Sequence, residues 1–434
     1  MTNVVQGRTL DIRPANRVTG TIRVPGDKSI SHRYVMLGSA AVGITILSGL
    51  APGADVAATV ACCRALGARV TADGADRLQI EGRGWAGLSE PSGPLDAANS
   101  GTTMRLLAGL VAGRPFRTTI VGDESLQRRP MARVIAPLEA MGARISATHG
   151  RPPLVIDGGG LQGVTWTPAV PSAQIKSALM LAGLSASGET TIQEIQPTRD
   201  HSERAFPAFG LVVRVDASGV HVPGGQEARA PREPLAVPGD PSSAAVWAAA
   251  AAALTGSSVE LQGVLLSPRR LGFVHALQRL GAEIIVAESA EVAGERVGSL
   301  RVTHGGHAHC TITAEDVPDL IDELPVLAAR AALGGSLDVT GAAELRVKES
   351  DRITALVRGL RALGVTADER PDGFVIDGSR RPTGGTADAA GDHRLVMAFA
   401  LVGLGASGPT TILGADAVAV SYPGFARDLE RLSS

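Results

Sequence analysis

Residues 344–352 gather Glu344, Arg346, Lys348, Glu349, Asp351 and Arg352 within nine positions. A carboxylate set among cations can help bind an anion, and it can carry a proton, because its neighbours decide which protonation state is favoured. A helix beginning near Lys348 would place Lys348 and Arg352 four apart on one face, with Glu349 three before Arg352. An exposed helix start laced with ion pairs would carry the same pattern, so the run has to be weighed with the rest of the chain.

Similar groups recur at other points. Asp27-Lys28-Ser29 is followed by Arg33, four beyond Ser29. An ammonium, a hydroxyl and a guanidinium on one helix face suit a phosphate or a carboxylate. This is not a Walker A loop, because Asp27 stands where glycine is required. Asn99-Ser100-Gly101-Thr102-Thr103 has the make-up of an anion nest, with Gly101 allowing close approach to the backbone. Arg128 and Arg129 precede Pro130, where a helix is expected to begin. Ser172-Ala173-Gln174 brings a hydroxyl and an amide to another helix start, and Thr198-Arg199-Asp200-His201 leads into a further helix. Asp322 and Asp392-His393-Arg394 complete the set. For each motif the plain alternative is an ordinary capped helix start or a solvated charge pair.

The elements that would position these groups follow a period. The polar openings at Asp27, Asn99, Ser172, Asp240, Asp322 and Asp392 recur 68 to 82 residues apart. Each leads an Ala/Leu-rich segment running to a glycine, at Gly43, Gly113, Gly188, Gly256, Gly334 and Gly408, the pattern of a buried helix with an N-cap and a glycine stop. A β-branched strand follows, such as 44–47, 118–121, 259–261 or 410–413. Next comes an amphipathic helix closing on a Leu-Gly-Ala type ending, as at 66–68, 141–143, 280–282 and 363–365, and then a last strand such as 78–80, 154–156 or 374–376. The chain is therefore expected to be α/β, built from six copies of a small module, the sixth lacking its last strand. Grouped three and three, the modules give two domains: residues 23–237, and residues 238–434 completed by the N-terminal strand within 1–22. The Pro/Gly-rich stretch 223–240 reads as the connection. The helix starts would then face an interdomain cleft, where free backbone N–H groups attract anions.

Composition narrows the choice. Among 434 residues the formal net charge is −2 and aromatics make up 3%, which speaks against nucleic acid and against a charged membrane surface as partners. Apolar runs are too short to span a bilayer, so a cytoplasmic protein is expected. Cys62, Cys63 and Cys310 lack metal-ligand spacing and read as core residues, and His304, His307 and His309 read as a solvated Gly-rich loop.

Taken together, Lys28-Ser29 with Arg33, Asn99-x-Gly101-Thr102, Arg129-Pro130, Ser172-Ala173-Gln174, Arg346-Val347-Lys348-Glu349-x-Asp351-Arg352 and Asp392-His393-Arg394 resemble the 3-phosphoshikimate 1-carboxyvinyltransferase (5-enolpyruvylshikimate-3-phosphate synthase) family of enolpyruvyl transferases, essentially from end to end. The resemblance implies an inside-out α/β barrel of six βαβαββ units in two domains. It implies a shikimate-pathway transferase of aromatic amino-acid (chorismate) biosynthesis, monomeric, with no metal or organic cofactor and with two small anionic substrates. By that resemblance Lys28, Gly101, Arg129, Gln174, Arg352 and Arg394 would hold phosphoenolpyruvate. Lys28, Ser29, Arg33, Ser172, Ala173, Gln174, Thr198, Arg199, Asp322 and Lys348 would hold shikimate 3-phosphate. Asp322, Glu349 and Lys28 would be catalytic. The chain departs from some members at Glu344, where an asparagine is common, and at Val420, where a lysine can precede Ser421-Tyr422-Pro423. Two alternatives are a UDP-N-acetylglucosamine enolpyruvyl transferase, which uses a loop cysteine, and a non-catalytic anion-binding repeat protein.

Overall fold

The computed structural model describes residues 5, 6, 8–74 and 76–433. Five of the six polar openings end in a side chain that caps a helix. Asp27 accepts from the Ile30 N–H at 2.9 Å and starts the helix Lys28–Ala40. Ser100 starts Gly101–Ala112, Ser172 starts Ala173–Gly183, Asp240 starts Pro241–Ala253 and Asp392 starts His393–Gly405, each accepting a first-turn N–H. The fifth opening differs. The helix Leu324–Ala331 starts after Glu323, which makes no side-chain cap, and Asp322 lies in the turn before it, following the short helix Val317–Leu320. Glu323 is diverted instead to the Ser242 hydroxyl.

These helices are buried nearly all round, and Pro241–Ala253 is buried at every position. Alanine and glycine let them approach closely. A Cβ built on Gly109 would stand 2.2 Å from the Ala178 carbonyl oxygen, so the helices Gly101–Ala112 and Ala173–Gly183 meet backbone to backbone. The expected glycine stops are mostly not caps. Gly113 is the C-cap of its helix, but Gly43 lies inside the strand Val42–Ser48, and the other four come after the helix has ended. The Leu-Gly endings of the second helices do act as stops. Gly67, Gly142, Gly281 and Gly364 have φ of +102°, +107°, +95° and +84°, which side-chain-bearing residues resist.

Among the described residues six four-stranded sheets carry the modules, all with one strand order. In the second module Leu95–Asp96 runs parallel to Arg117–Val121, which is antiparallel to Arg151–Asp157, which in turn pairs with Arg144–Thr148. A short first strand, a central second, then the fourth and third recur in every sheet. Three sheets take strands from distant sequence. Leu235–Ala236 is the first strand beside Val42–Ser48, Thr19–Ile22 lies beside Ser258–Leu265, and Thr9–Ile12 pairs antiparallel with Thr410–Leu413. The 223–240 stretch, expected as a plain connection, thus supplies a strand as well.

The chain divides into two compact units: one of residues up to Pro25, Pro238–Ala290 and from Arg296 onward, the other of Gly26–Val237 with Glu291–Glu295. In the former, Trp247 stacks on Phe425 at 5.4 Å between ring centroids and donates to the Tyr422 hydroxyl, which donates to Asp428 at 2.8 Å. That pairing lets a buried tryptophan and tyrosine satisfy their polar atoms. No helix among the described residues is long and apolar enough to cross a membrane.

Gly109→Ala is expected to destabilise the protein by about 1–3 kcal/mol, because the added methyl has no room and the two helices must part. Equilibrium denaturant unfolding reads the change.

Candidate active site

In the unit formed mainly by residues 26–237, Lys28 stands at the first position of its helix, and its ammonium donates to Asp55 at 2.8 Å. Arg33 is buried among oxygens. Its Nη1 donates to the Ser29 carbonyl at 2.8 Å, Nη2 to the Ser177 hydroxyl at 2.6 Å and Nε to the Ser202 hydroxyl at 2.8 Å. Burial pushes its pKa down to about 10, so the guanidinium stays charged at neutral pH. The neighbouring His32 is driven down to about 3 by burial and is neutral, hydrogen-bonded to Thr59.

Gly101 begins its helix under two guanidinium groups. A Cβ there would lie 2.7 Å from Arg105 Nη1 and 3.3 Å from Arg129 Nη1. Arg129 is buried and donates to Asn99 Oδ1 at 2.9 Å, whereas Arg128 is exposed and pairs with Glu124. Pro130 does not open the following helix, which runs Ala132–Ala140 and begins after Met131. Arg105 donates to Gln174 Oε1 at 2.7 Å, and Gln174 donates to the Thr102 hydroxyl at 2.9 Å. Gly101, Arg105, Arg129 and Gln174 are thereby joined across two helix starts. Ser172 and Ala173 lie beside Gln174, with Ser172 as the cap. Thr198 and Arg199 are half-buried in the segment before the helix His201–Ala208. Asp200 does not cap this helix with its side chain. It takes Arg204 Nε at 2.8 Å, and although burial alone would raise its pKa, that guanidinium holds it below the usual carboxylate range.

In the other unit the expected helix from Lys348 is absent. Asp351 accepts the Thr354 N–H and two contacts from Arg346, so the helix starts at Arg352 and runs to Ala362. Lys348 instead ends the 3-10 turn Ala343–Val347, and its ammonium meets Glu344 at 3.3 Å. Lys348 and Arg352 therefore do not share a helix face.

Arg352, 1% exposed, is the centre of this set. Its Nε donates to Asp392 at 2.8 Å, its Nη2 bonds Glu349, and its Nη1 lies 4.0 Å from Asp322. Nη1 is buried with no hydrogen-bond acceptor among the described residues. Burial alone would push the guanidinium pKa down, but Asp392 and Glu349 outweigh it and hold it above its ordinary value. Arg394 donates to the Asp322 carbonyl at 2.8 Å and lies 3.5 Å from its carboxylate. Asp322, Glu349, Arg352 and Arg394 are thus one cluster, with Asp392 bracing it.

Sequence reasoning left out several participants. Arg105 was findable, since it lies four residues after Gly101 on the same helix face. Asp55, the partner of Lys28, carries no signal at 27 residues' separation. Among the described residues no group of three or more His, Cys, Asp or Glu side chains is placed to hold a metal. His304 donates its Nδ1–H to the Ala252 carbonyl at 2.8 Å and His309 bonds the Ser336 hydroxyl, so both are strand-end residues rather than one loop. A cleft lined by Gln278, Ile284, Ile285 and Arg301 contains none of the candidate residues.

The repeated α/β modules, with guanidinium groups and carboxylates gathered at helix starts, define a protein that handles multiply charged small anions. Residues 12–429 match the profile of one family, EPSP synthase (3-phosphoshikimate 1-carboxyvinyltransferase). A 3-phosphoshikimate 1-carboxyvinyltransferase of Acidithiobacillus ferrooxidans is 48% identical over 415 residues, 95% of each chain. One from Shouchella clausii is 45% identical over 418 residues, 96% of each. The solved EPSP synthase of Acinetobacter baumannii superposes with a TM-score of 0.87 at 38% identity, covering 98% of each chain. The chain belongs to the EPSP synthase family.

Arg352→Met is expected to cost about 3–5 kcal/mol of stability, because it leaves Asp392 and Glu349 without their counter-charge. Adding Asp392→Asn should recover part of the loss, and thermal unfolding of the two variants beside the unaltered protein checks both statements.

Proposed function

We propose that the two residue sets serve a single transfer reaction, with Glu349 and Asp322 as its proton carriers. The chain transfers the enolpyruvyl group of phosphoenolpyruvate to shikimate 3-phosphate in the shikimate pathway. The observation that carries the residue assignment is the Arg352 cluster: Glu349 is bonded to a buried guanidinium that also lies 4.0 Å from Asp322.

In this reading Lys28, the Gly101 backbone, Arg129, Gln174, Arg352 and Arg394 hold phosphoenolpyruvate. Lys28, Ser29, Arg33, Ser172, Ala173, Gln174, Thr198, Arg199, Asp322 and Lys348 hold shikimate 3-phosphate. Asp322 takes the proton of the 5-hydroxyl as its oxygen bonds to C2 of phosphoenolpyruvate. Glu349 gives a proton to the methylene carbon, and a tetrahedral intermediate forms. Glu349 then removes a proton from the new methyl group, the C–O bond to phosphate breaks, and phosphate departs with the proton held by Asp322. Lys28 balances the charge of the leaving phosphate. Fixed cations stabilise the charge that moves during both steps, and this lowers the barrier without reorganisation.

The experiment is phosphate release on mixing the protein with phosphoenolpyruvate and shikimate 3-phosphate. Glu349→Gln should bind shikimate 3-phosphate normally and turn over at least ~100-fold more slowly; a rate near that of the unaltered protein would remove Glu349 from the mechanism.

Thiol chemistry separates this reading from the cysteine-dependent alternative. Burial pushes the Cys62 and Cys63 thiols up to about 12 and about 11, and burial raises Cys310 as well. A thiol reacts as its thiolate. At pH 8 the native protein should therefore resist iodoacetamide and keep its activity, while all three thiols react after denaturation. Rapid alkylation with loss of turnover would contradict this.

A further inference from the structure

Lys176 appears in neither residue set, yet it is only 1% exposed, two residues after Gln174 on the helix Ala173–Gly183. Its ammonium lies 2.9 Å from Glu194 Oε2 and 2.6 Å from Glu203 Oε1. It also donates to the Thr198 carbonyl at 3.4 Å. Glu194 uses its other oxygen, Oε1, to accept the Thr198 N–H at 3.0 Å and the Thr198 hydroxyl. Glu203 belongs to the helix His201–Ala208, whose Ser202 holds Arg33. One ammonium therefore ties together the helix that begins with Ala173 and Gln174, the segment carrying Thr198 and Arg199, and the helix that braces Arg33.

A buried lysine is costly unless it is paired, and here the pairing is with two carboxylates. Burial pushes the Glu203 carboxyl up while Lys176 pulls it the other way. Take the ammonium away and two carboxylates face each other in a poorly solvated space. They would repel, and Glu194 could no longer hold Thr198 where it now stands.

We propose that Lys176 is a positioning residue for the transfer: through Glu194 and Glu203 it sets Thr198 and Arg199 against the Ser172–Gln174 helix start, and so governs recognition of shikimate 3-phosphate. The inference rests on the assignment of those residues to shikimate 3-phosphate made above.

The test uses the full-length protein and compares Lys176→Met, the double variant Lys176→Met/Glu203→Gln, and Arg199→Ala as a reference. Lys176→Met should raise KM for shikimate 3-phosphate at least ~10-fold while leaving KM for phosphoenolpyruvate within ~2-fold. The double variant removes one of the two facing carboxylates and spares the Glu194–Thr198 bonds, so its KM should return to within ~3-fold of the unaltered value. A merely structural lysine would not produce a substrate-selective change that a second loss of charge repairs. Equal rises in both KM values, no change in either, or no recovery in the double variant overturns the positioning role. If Lys176→Met does not fold, Glu194→Ala takes its place, with the same selective rise expected and an unchanged KM counting against the proposal. Arg199→Ala keeps the two failures apart. An unchanged KM for shikimate 3-phosphate in that variant breaks the substrate assignment itself. A raised KM there, with Lys176→Met unaltered, breaks only the role of Lys176.

Discussion

Charge taken out of water has to be answered by charge or hydrogen bonds nearby, and this constraint shapes the candidate site throughout. Arg352 is answered by Asp392 and Glu349, Lys176 by Glu194 and Glu203. Arg33 is answered differently, by a carbonyl and two hydroxyls that carry no charge. Both arrangements keep a guanidinium charged out of water: Asp392 and Glu349 hold Arg352 above its ordinary pKa, and Glu203 and Asp27 nearby favour the charge of Arg33 against its burial. A protein with a net charge of −2 can in this way present strongly positive places.

The helix starts do two jobs with the same atoms. Asp392 uses Oδ1 to accept the Arg394 N–H, which fixes where the helix begins, and Oδ2 to accept Arg352 Nε, which fixes where that guanidinium points. The register of the His393–Gly405 helix and the orientation of Arg352 are therefore set by one carboxylate. Arg394 follows from the same register and reaches Asp322. Local capping, which would ordinarily be a matter of stability, here also orients the buried guanidinium groups of the candidate site.

The repeat was legible because it rests on local rules. A capping side chain, an apolar run, a β-branched strand and a Leu-Gly ending each leave a mark in adjacent residues, and together they located the six modules. What failed was decided by atoms distant in sequence. The run from Lys348 looks helical, but Arg346 is anchored on Glu369 and on the Arg370 and Pro371 carbonyls and from there holds Asp351, which caps the helix short at Arg352. Asp322 looks like a cap, but Glu323 next to it is drawn to Ser242, 81 residues away, and the turn is not closed by a side chain. Arg105 carried a helical spacing signal and could have been read. Asp55, Glu194 and Lys176 could not, since their importance lies in pairings that no short window contains.

The borrowed strands impose an order of events. Thr9–Ile12 is made long before its neighbour in the sheet, Thr410–Leu413. The residues of the 26–237 unit, Glu291–Glu295 included, are all made before that neighbour exists. This unit can thus collapse around its own helices during synthesis, while the first strands wait with their backbone groups hydrated. Thr9–Ile12, four residues alternating polar with apolar, suits such a wait because it offers little to a stray partner. The sheet that pairs Thr9–Ile12 with Thr410–Leu413 can close only once Leu413 has been made, so the folding of its unit waits on that strand.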